Sequence, residues 1–270
     1  MWSSRARLKS RPEPAQALDG ALLAPASWRA VEFISDLHLS PALPRTLQGL
    51  ARYFERSDAD AVFLLGDIFE VWIGDDAISQ DFEAACVDLL HKAGQSRQLF
   101  FMAGNRDFLL GQTMADASAM TLLPDPTVLQ AFGLRLLLSH GDAFCIADAS
   151  YQRFRAEVRG SAWQQAFLAQ PLTERARIAA ELRQRSRERQ QDPELWAEPD
   201  AASCCHALRE RHCSVLLHGH THRPASHELA DGLSRWVLAD WELDATTPRA
   251  DCLRLDASGL QRHQLANLLA

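Results

Sequence analysis

Five short apolar runs, Val31–Ser35, Ala61–Leu65, Gln98–Met102, Leu134–Ser139 and Ser214–Leu217, punctuate this chain. Each is too brief to make a helix and is rich in β-branched or large apolar side chains, which suits a strand covered on both faces. Between the first two, Leu47, Leu50, Ala51 and Phe54 recur at helical spacing, and between the next two Phe82, Ala85, Cys86 and Leu89 do the same. This β-α-β-α rhythm predicts a layered α/β fold. Trp236–Leu238 and Cys252–Leu255 read as later strands with no long helix between them, so the sheet directions should be mixed.

The polar residues at the end of each run narrow the chemistry. The blocks are Asp36-Leu37-His38, Gly66-Asp67-Ile68-Phe69-Glu70, Gly104-Asn105-Arg106-Asp107, His140-Gly141-Asp142 and His218-Gly219-His220-Thr221-His222. Loops at the carboxyl ends of strands are where α/β sheets bind ligands. Carboxylates, one amide oxygen and several imidazoles form a donor set for two divalent transition metals, and two ions a few ångströms apart need a shared oxygen, for which Asp67 is the natural bridge. Any one block could be a tight turn or a surface loop. Five in series, each directly after an apolar run, point to a site. His91, His206, His212, His227 and His263 lack a strand-end setting and read as solvated or packing residues.

With 270 residues, 47% hydrophobic and 23% charged, the chain can bury one sizeable core or one core plus a small appendage. No apolar stretch approaches the roughly 18 residues that a membrane span requires. A formal charge of -7 argues against a general affinity for nucleic acid. The six cysteines show no CxxC spacing and read as reduced packing residues. Residues 1–30 are Ala/Pro/Arg-rich, and Asp19 and several prolines interrupt any apolar signal segment, so a poorly ordered arm on a cytoplasmic protein is expected. Residues 31–270 would form one domain, with a helical lid inserted at about 151–202. From Tyr151 to Glu198 there are nine arginines against seven acids, beside an apolar stripe of Trp163, Phe167, Leu168, Leu172, Ile178 and Leu182. The stripe is either helix-packing surface or a groove for an apolar ligand. An apolar face beside arginines would also let the lid rest on an anionic membrane surface.

The series DxH, GDxxE, GNxD, HGD and GHxH resembles the calcineurin-like metallophosphoesterases, which implies a β-sandwich flanked by helices around a dinuclear metal centre. The stretches GDIFEVWIGDD (66 to 76), GNRDFLLG (104 to 111) and LLHGHTHRPASHEL (216 to 229) resemble, more narrowly, the UDP-2,3-diacylglucosamine pyrophosphatases of lipid A biosynthesis. That resemblance implies cleavage of UDP-2,3-diacylglucosamine to UMP and 2,3-diacylglucosamine 1-phosphate (lipid X). It also implies manganese as the metal and peripheral association with the cytoplasmic face of the inner membrane; no obligate protein partner is evident in the sequence. Carried over by residue, it assigns Asp36, His38 and His222 to one metal, Asn105, His140 and His220 to the other, and Asp67 to both. Asp67, Asn105, Arg106 and His220 would be catalytic, and Asn105, Arg106, Asp148, Ser186, Gln190 and His220 would meet substrate. The family's lid Asn and Lys have no secure match. Gln190 and Pro193 fall near those places, so Arg187 or Arg189 would substitute.

Arg106 bears on the bond that is cut. Related phosphoesterases commonly carry a histidine there, which can protonate an alkoxide leaving group. A sugar phosphate leaves as a stable anion and needs charge stabilisation instead, which a planar guanidinium supplies through two parallel donors. This favours metal-activated water attacking the α phosphorus of a phosphoanhydride. The bland alternative is a structural bridge between Arg106 and Asp107. A hydrolase of soluble nucleotide pyrophosphates and a non-catalytic scaffold of the same fold are the competing functions.

Overall fold

The computed structural model describes residues 11–190, 198–265 and 267. Its strands are β1 (Gln16–Leu18), β2 (Ala21–Leu23), β3 (Ala30–Ile34), β4 (Ala61–Leu65), β5 (Gln98–Met102), β6 (Met120–Leu123), β7 (Thr127–Ala131), β8 (Leu134–Leu138), β9 (Val215–His218), β10 (Ala225–Glu228), β11 (Ser234–Val237), β12 (Asp251–Asp256) and β13 (Gly259–Gln264). They form two sheets, ordered β13-β12-β3-β4-β5-β6 and β1-β2-β7-β8-β9-β11-β10. In the first sheet β3 to β6 run parallel, while β12 is antiparallel to β3. The five apolar runs hold as strands to within a residue at each end, and the two later predicted strands correspond to β11 and β12, with β11 starting two residues earlier than expected. β6, β7 and β13 carry weaker apolar patterns and are visible only in the fold.

Strand alternation explains the layers. In β4, Ala61, Phe63 and Leu65 face the second sheet, where they meet Leu129, Leu136, Leu138 and Leu217; Val62 and Leu64 face outward onto helices α1 (Pro44–Arg56) and α2 (Asp81–Gly94). Register places Phe63 between Phe33 and Phe100, so the three rings stack across adjacent strands at 5.2 and 4.6 Å. On the far side, α7 (Ala201–Glu210) covers the second sheet through Cys204 and Leu208 against Val128, Leu137 and Leu216. The result is a helix–sheet–sheet–helix sandwich. All six cysteines are free and buried, as packing residues should be.

One expectation needs correction. The part of the expected arm that is described is not loose: β1 and β2 form a hairpin whose second strand pairs in parallel with β7, and Trp28 is buried. Residues 1–10 lie outside the described residues. The lid is built from three helices, α4 (Ala149–Val158), α5 (Ser161–Leu168) and α6 (Leu172–Gln190), and α7 belongs to the sandwich. The insert leaves β8 and returns to β9, its parallel neighbour, so the sheet closes beneath it. α3 (Gln112–Ala117) is a short connector before β6.

Candidate metal centre

Because β3, β4 and β5 are parallel, their carboxyl ends share one edge, and the polar blocks stay zipped together beyond the strands. The Asp36 N–H donates to the Gly66 carbonyl at 3.0 Å, and the His38 N–H to the Asp67 carbonyl at 3.0 Å. Asp36, His38, Asp67, His220 and His222 all have positive φ, between 48° and 69°. Such backbone costs about 1–3 kcal/mol per residue and clusters where function demands it. Gly104 packs so closely that a Cβ there would lie 2.2 Å from Asp67 Oδ1, which is why only glycine precedes Asn105.

On one side of the centre, His38 Nε2 and His222 Nε2 face each other at 3.2 Å, and His222 Nε2 lies 3.3 Å from Asp36 Oδ1. The opposite nitrogens lie beside carboxylates: His38 Nδ1 is 3.2 Å from Glu70 Oε2, and His222 Nδ1 is 3.5 Å from Asp240 Oδ2. Asp240 is itself held by Arg249. On the other side, His140 Nδ1 donates to the Leu65 carbonyl at 3.0 Å, leaving Nε2 to face Asn105 Oδ1 at 2.9 Å, while His220 Nδ1 faces the same oxygen at 2.8 Å. Turning the Asn105 amide over would let its NH₂ point at both rings and at Asp67. The oxygen-inward orientation is the one that a cation requires.

Asp67 lies between the two halves. Its Oδ1 accepts the Arg106 N–H at 2.8 Å and sits 3.7 Å from His140 Nε2. Asp36, His38 and His222, and separately Asp36, Asp67 and His140, bring their donor atoms within 4.8 Å of one another. Lone pairs pointed at one another repel unless a proton or cation lies between them, and His38, His140 and His222 each have a neighbour on the outer nitrogen that favours the inward one as ligand. The donor set therefore fits two divalent cations. All seven residues expected as ligands come together.

The electrostatics agree. Burial alone would raise the Asp36 carboxyl, but its hydrogen bond to His222 and the charges of His222, His140 and His38 outweigh that and hold it well below the usual carboxylate range. Burial keeps His38 low despite Asp67 and Asp36, and burial together with His140 drives His220 down to about 4. His140 goes the other way: burial opposes its charge, yet Asp67, Asp36 and Asp142 raise it to about 9. Two rings are thus ready as neutral ligands, and His140 holds a proton that a cation would displace.

Arg106 does not bridge to Asp107. Asp107 is fully buried and accepts backbone N–H groups from Gly104, Asp67, Ile68 and Phe69 at 2.8, 3.3, 2.7 and 3.3 Å, which makes it the organiser of the Asp67 loop. The guanidinium of Arg106 lies beside Asp67 Oδ2 at 3.9 Å and reaches the lid, donating to Ser186 Oγ at 3.5 Å. Asp148 caps α4, where its Oδ1 accepts from Tyr151 N and Ser150 Oγ. Gln190 is the last residue of α6, and Pro193 lies outside the described residues.

Several residues of the site were given no role by the sequence. Asp142 is fully buried and takes Tyr151 Oη at 2.7 Å and Arg155 Nε at 2.8 Å, which ties α4 to the His140 block. Arg175 of α6 is almost wholly buried. It binds Asp76, with Nη1 to Oδ1 at 2.9 Å, and Arg183 of the same helix pairs with Glu70. The acids of GDIFEVWIGDD signalled these contacts, but only the fold assigns them to lid arginines. His218, inside the histidine block yet outside the expected ligand set, is buried with Nδ1 against the Gly219 carbonyl and Nε2 3.5 Å from Arg235.

Comparison with known proteins decides the family. Residues 31–224 match the calcineurin-like phosphoesterase family. The chain belongs to that family. Within it, this phosphoesterase is 43% identical over 236 residues to the UDP-2,3-diacylglucosamine hydrolase of Bordetella parapertussis, covering 84% of this chain and 92% of the relative. It is 44% identical to the protein of that name from Chromobacterium violaceum, covering 88% and 100%, and 41% identical to that of Xanthomonas axonopodis pv. citri, covering 87% and 98%. Among the described residues no helix is long and apolar enough to cross a membrane.

Proposed function

We propose that this chain hydrolyses the pyrophosphate bond of UDP-2,3-diacylglucosamine in lipid A biosynthesis, releasing UMP and 2,3-diacylglucosamine 1-phosphate. The substrate follows the name borne by relatives that align over nearly the whole chain. The observation that carries the reaction type is the placement of Arg106, whose guanidinium spans the gap between the shared carboxylate Asp67 and the lid residue Ser186. Two divalent cations, manganese first among them, would activate a water and neutralise phosphoryl oxygens. The protein's own contribution is positional. Asp36, His38 and His222 would hold one ion, Asn105, His140 and His220 the other, and Asp67 both. Arg106 offers a fork of donors to the departing sugar phosphate, so that water oxygen bonds to the uridylyl phosphorus while the bridging P–O bond breaks.

The exposed apolar residues Val71, Ile146, Phe154 and Leu168 lie on the lid or on the loops that border it, which suits an acylated substrate and peripheral contact with a membrane. The test is turnover with manganese on UDP-2,3-diacylglucosamine beside ADP-ribose, diadenosine tetraphosphate and a simple phosphodiester. Preference for the diacylated substrate is expected, and preference for a soluble one would overturn the proposal. Hydrolysis in oxygen-18 water should label UMP; label in the lipid product would move the attack to the other phosphorus.

A further inference from the structure

We infer that Glu70 is a positioning residue through which the seating of lid helix α6 and the loading of the His38 cation site are coupled. The inference rests on the two-cation reading of the centre and is independent of which pyrophosphate is cut. Glu70 divides its two oxygens between two parts of the molecule. Oε2 faces His38 Nδ1 at 3.2 Å, and Oε1 is taken by Arg183. A carboxylate this close to Nδ1 favours, through its charge, the tautomer protonated there, whose Nε2 carries the inward lone pair. Arg183 in turn fixes the Glu70 rotamer and balances its charge.

The same helix reaches the other half of the centre. One turn beyond Arg183, Ser186 accepts from Arg106 at 3.5 Å, and Arg106 lies beside Asp67. Eight residues before Arg183, about 12 Å along the helix, Arg175 clips the end of the same loop through Asp76 and the Ile73 carbonyl. One face of α6 therefore grips the loop that carries Glu70 at two points. If the lid lifts, Glu70 loses Arg183, and His38 is left with a mobile carboxylate. By reciprocity, whatever factor lid seating adds to cation affinity, cation loading must add to lid seating.

The test uses Mn²⁺ alone on the full chain, with stoichiometric titration for affinity and hydrogen exchange over α6 for lid seating. In Glu70→Ala one of two ions should bind roughly 10- to 100-fold more weakly while the other is unchanged. Glu70→Gln, whose amide oxygen can sit beside Nδ1 as the carboxylate does, should recover most of that affinity without recovering lid protection. Arg183→Ala should weaken the same ion by about 5-fold or more and speed α6 exchange. Arg177→Ala, which removes an exposed arginine paired with Glu174 and Glu181 of its own helix, should change neither readout. Mn²⁺ should slow α6 exchange in the wild-type protein but not in Glu70→Ala. Two ions bound at wild-type affinity in Glu70→Ala, or a lid freed in Arg183→Ala with unaltered Mn²⁺ affinity, would overturn the coupling. Should Glu70→Ala fail to fold, Glu70→Gln and Arg183→Ala decide the matter on the same two readouts.

Discussion

Asp67 and Asp107 sit within one loop pair, are both buried, and do opposite work. Asp67 turns its carboxylate toward the imidazoles and Arg106; Asp107 turns inward onto four backbone N–H groups. Asp67→Ala should therefore lower kcat by roughly three orders of magnitude, as loss of a main electrostatic element does, and shed metal measured by atomic absorption. His91→Ala and His263→Ala should do neither, since His91 contacts the Ala117 carbonyl and His263 lies on the strand at the sheet's edge. Asp107→Asn is nearly isosteric but sets NH₂ hydrogens against backbone donors, so it should cost about 1–3 kcal/mol in denaturant unfolding as well as activity. Arg106→Ala should lower kcat/KM by about 10²–10³, and Arg106→Lys should restore only part of it, because an ammonium cannot offer two parallel donors. The alternative pairing of Arg106 with Asp107 stayed open in the sequence because adjacent residues carry no information on which way each side chain turns.

At the scale of elements, the apolar stripe of the insert divides in two. Phe167 is buried in the core cluster and stacks on Trp163 at 4.8 Å, while its neighbour Leu168 is 42% exposed. Phe167→Ala should lower stability by about 3–5 kcal/mol and reduce activity on every substrate alike, which thermal unfolding and parallel assays would check. Leu168→Ser should leave the melting temperature nearly unchanged and reduce kcat/KM on the long-chain substrate by about tenfold, with a short-chain analogue little affected. Helical periodicity marked both as one face, since it records only spacing. Which residues of a face meet the core depends on how α5 is tilted against Phe108 and the sheet, and that is set by contacts far away in the chain. The lid arginines divide likewise: Arg175 and Arg183 clip the lid to the core, whereas Arg177 pairs with neighbours on its own helix.

For the whole molecule, cation binding and folding share one charge balance. In the metal-free protein His140 is raised to about 9, because Asp67, Asp36 and Asp142 outweigh its burial. A raised histidine stabilises the fold fully below its unfolded pKa, and that contribution disappears as pH climbs from about 6.5 through about 9. Chelator-treated protein should thus lose up to ~3 kcal/mol over that interval, whereas protein loaded with Mn²⁺ should not, and Mn²⁺ affinity should strengthen as pH rises, with proton release visible by calorimetry in buffers of differing ionisation enthalpy. A chelated protein with flat stability across the interval would refute this. Much of the molecule was legible beforehand. Apolar runs of strand length with β-branched or large apolar residues mark buried strands, and the donor residues come directly after them in the chain, so the strands and the pool of donors could be read locally, whereas the sandwich and the choice of seven ligands came from the family resemblance. The β1–β2 hairpin could not, because its short strands are defined by pairing with β7, more than a hundred residues away, and not by their own composition. The same holds for Glu70 with Arg183, Asp76 with Arg175 and Asp142 with Arg155. Sequence by itself determined which residues could bind metal, since that chemistry resides in single side chains. Only the tertiary structure decided which charges meet, since a charge's partner is whichever group folding brings within reach.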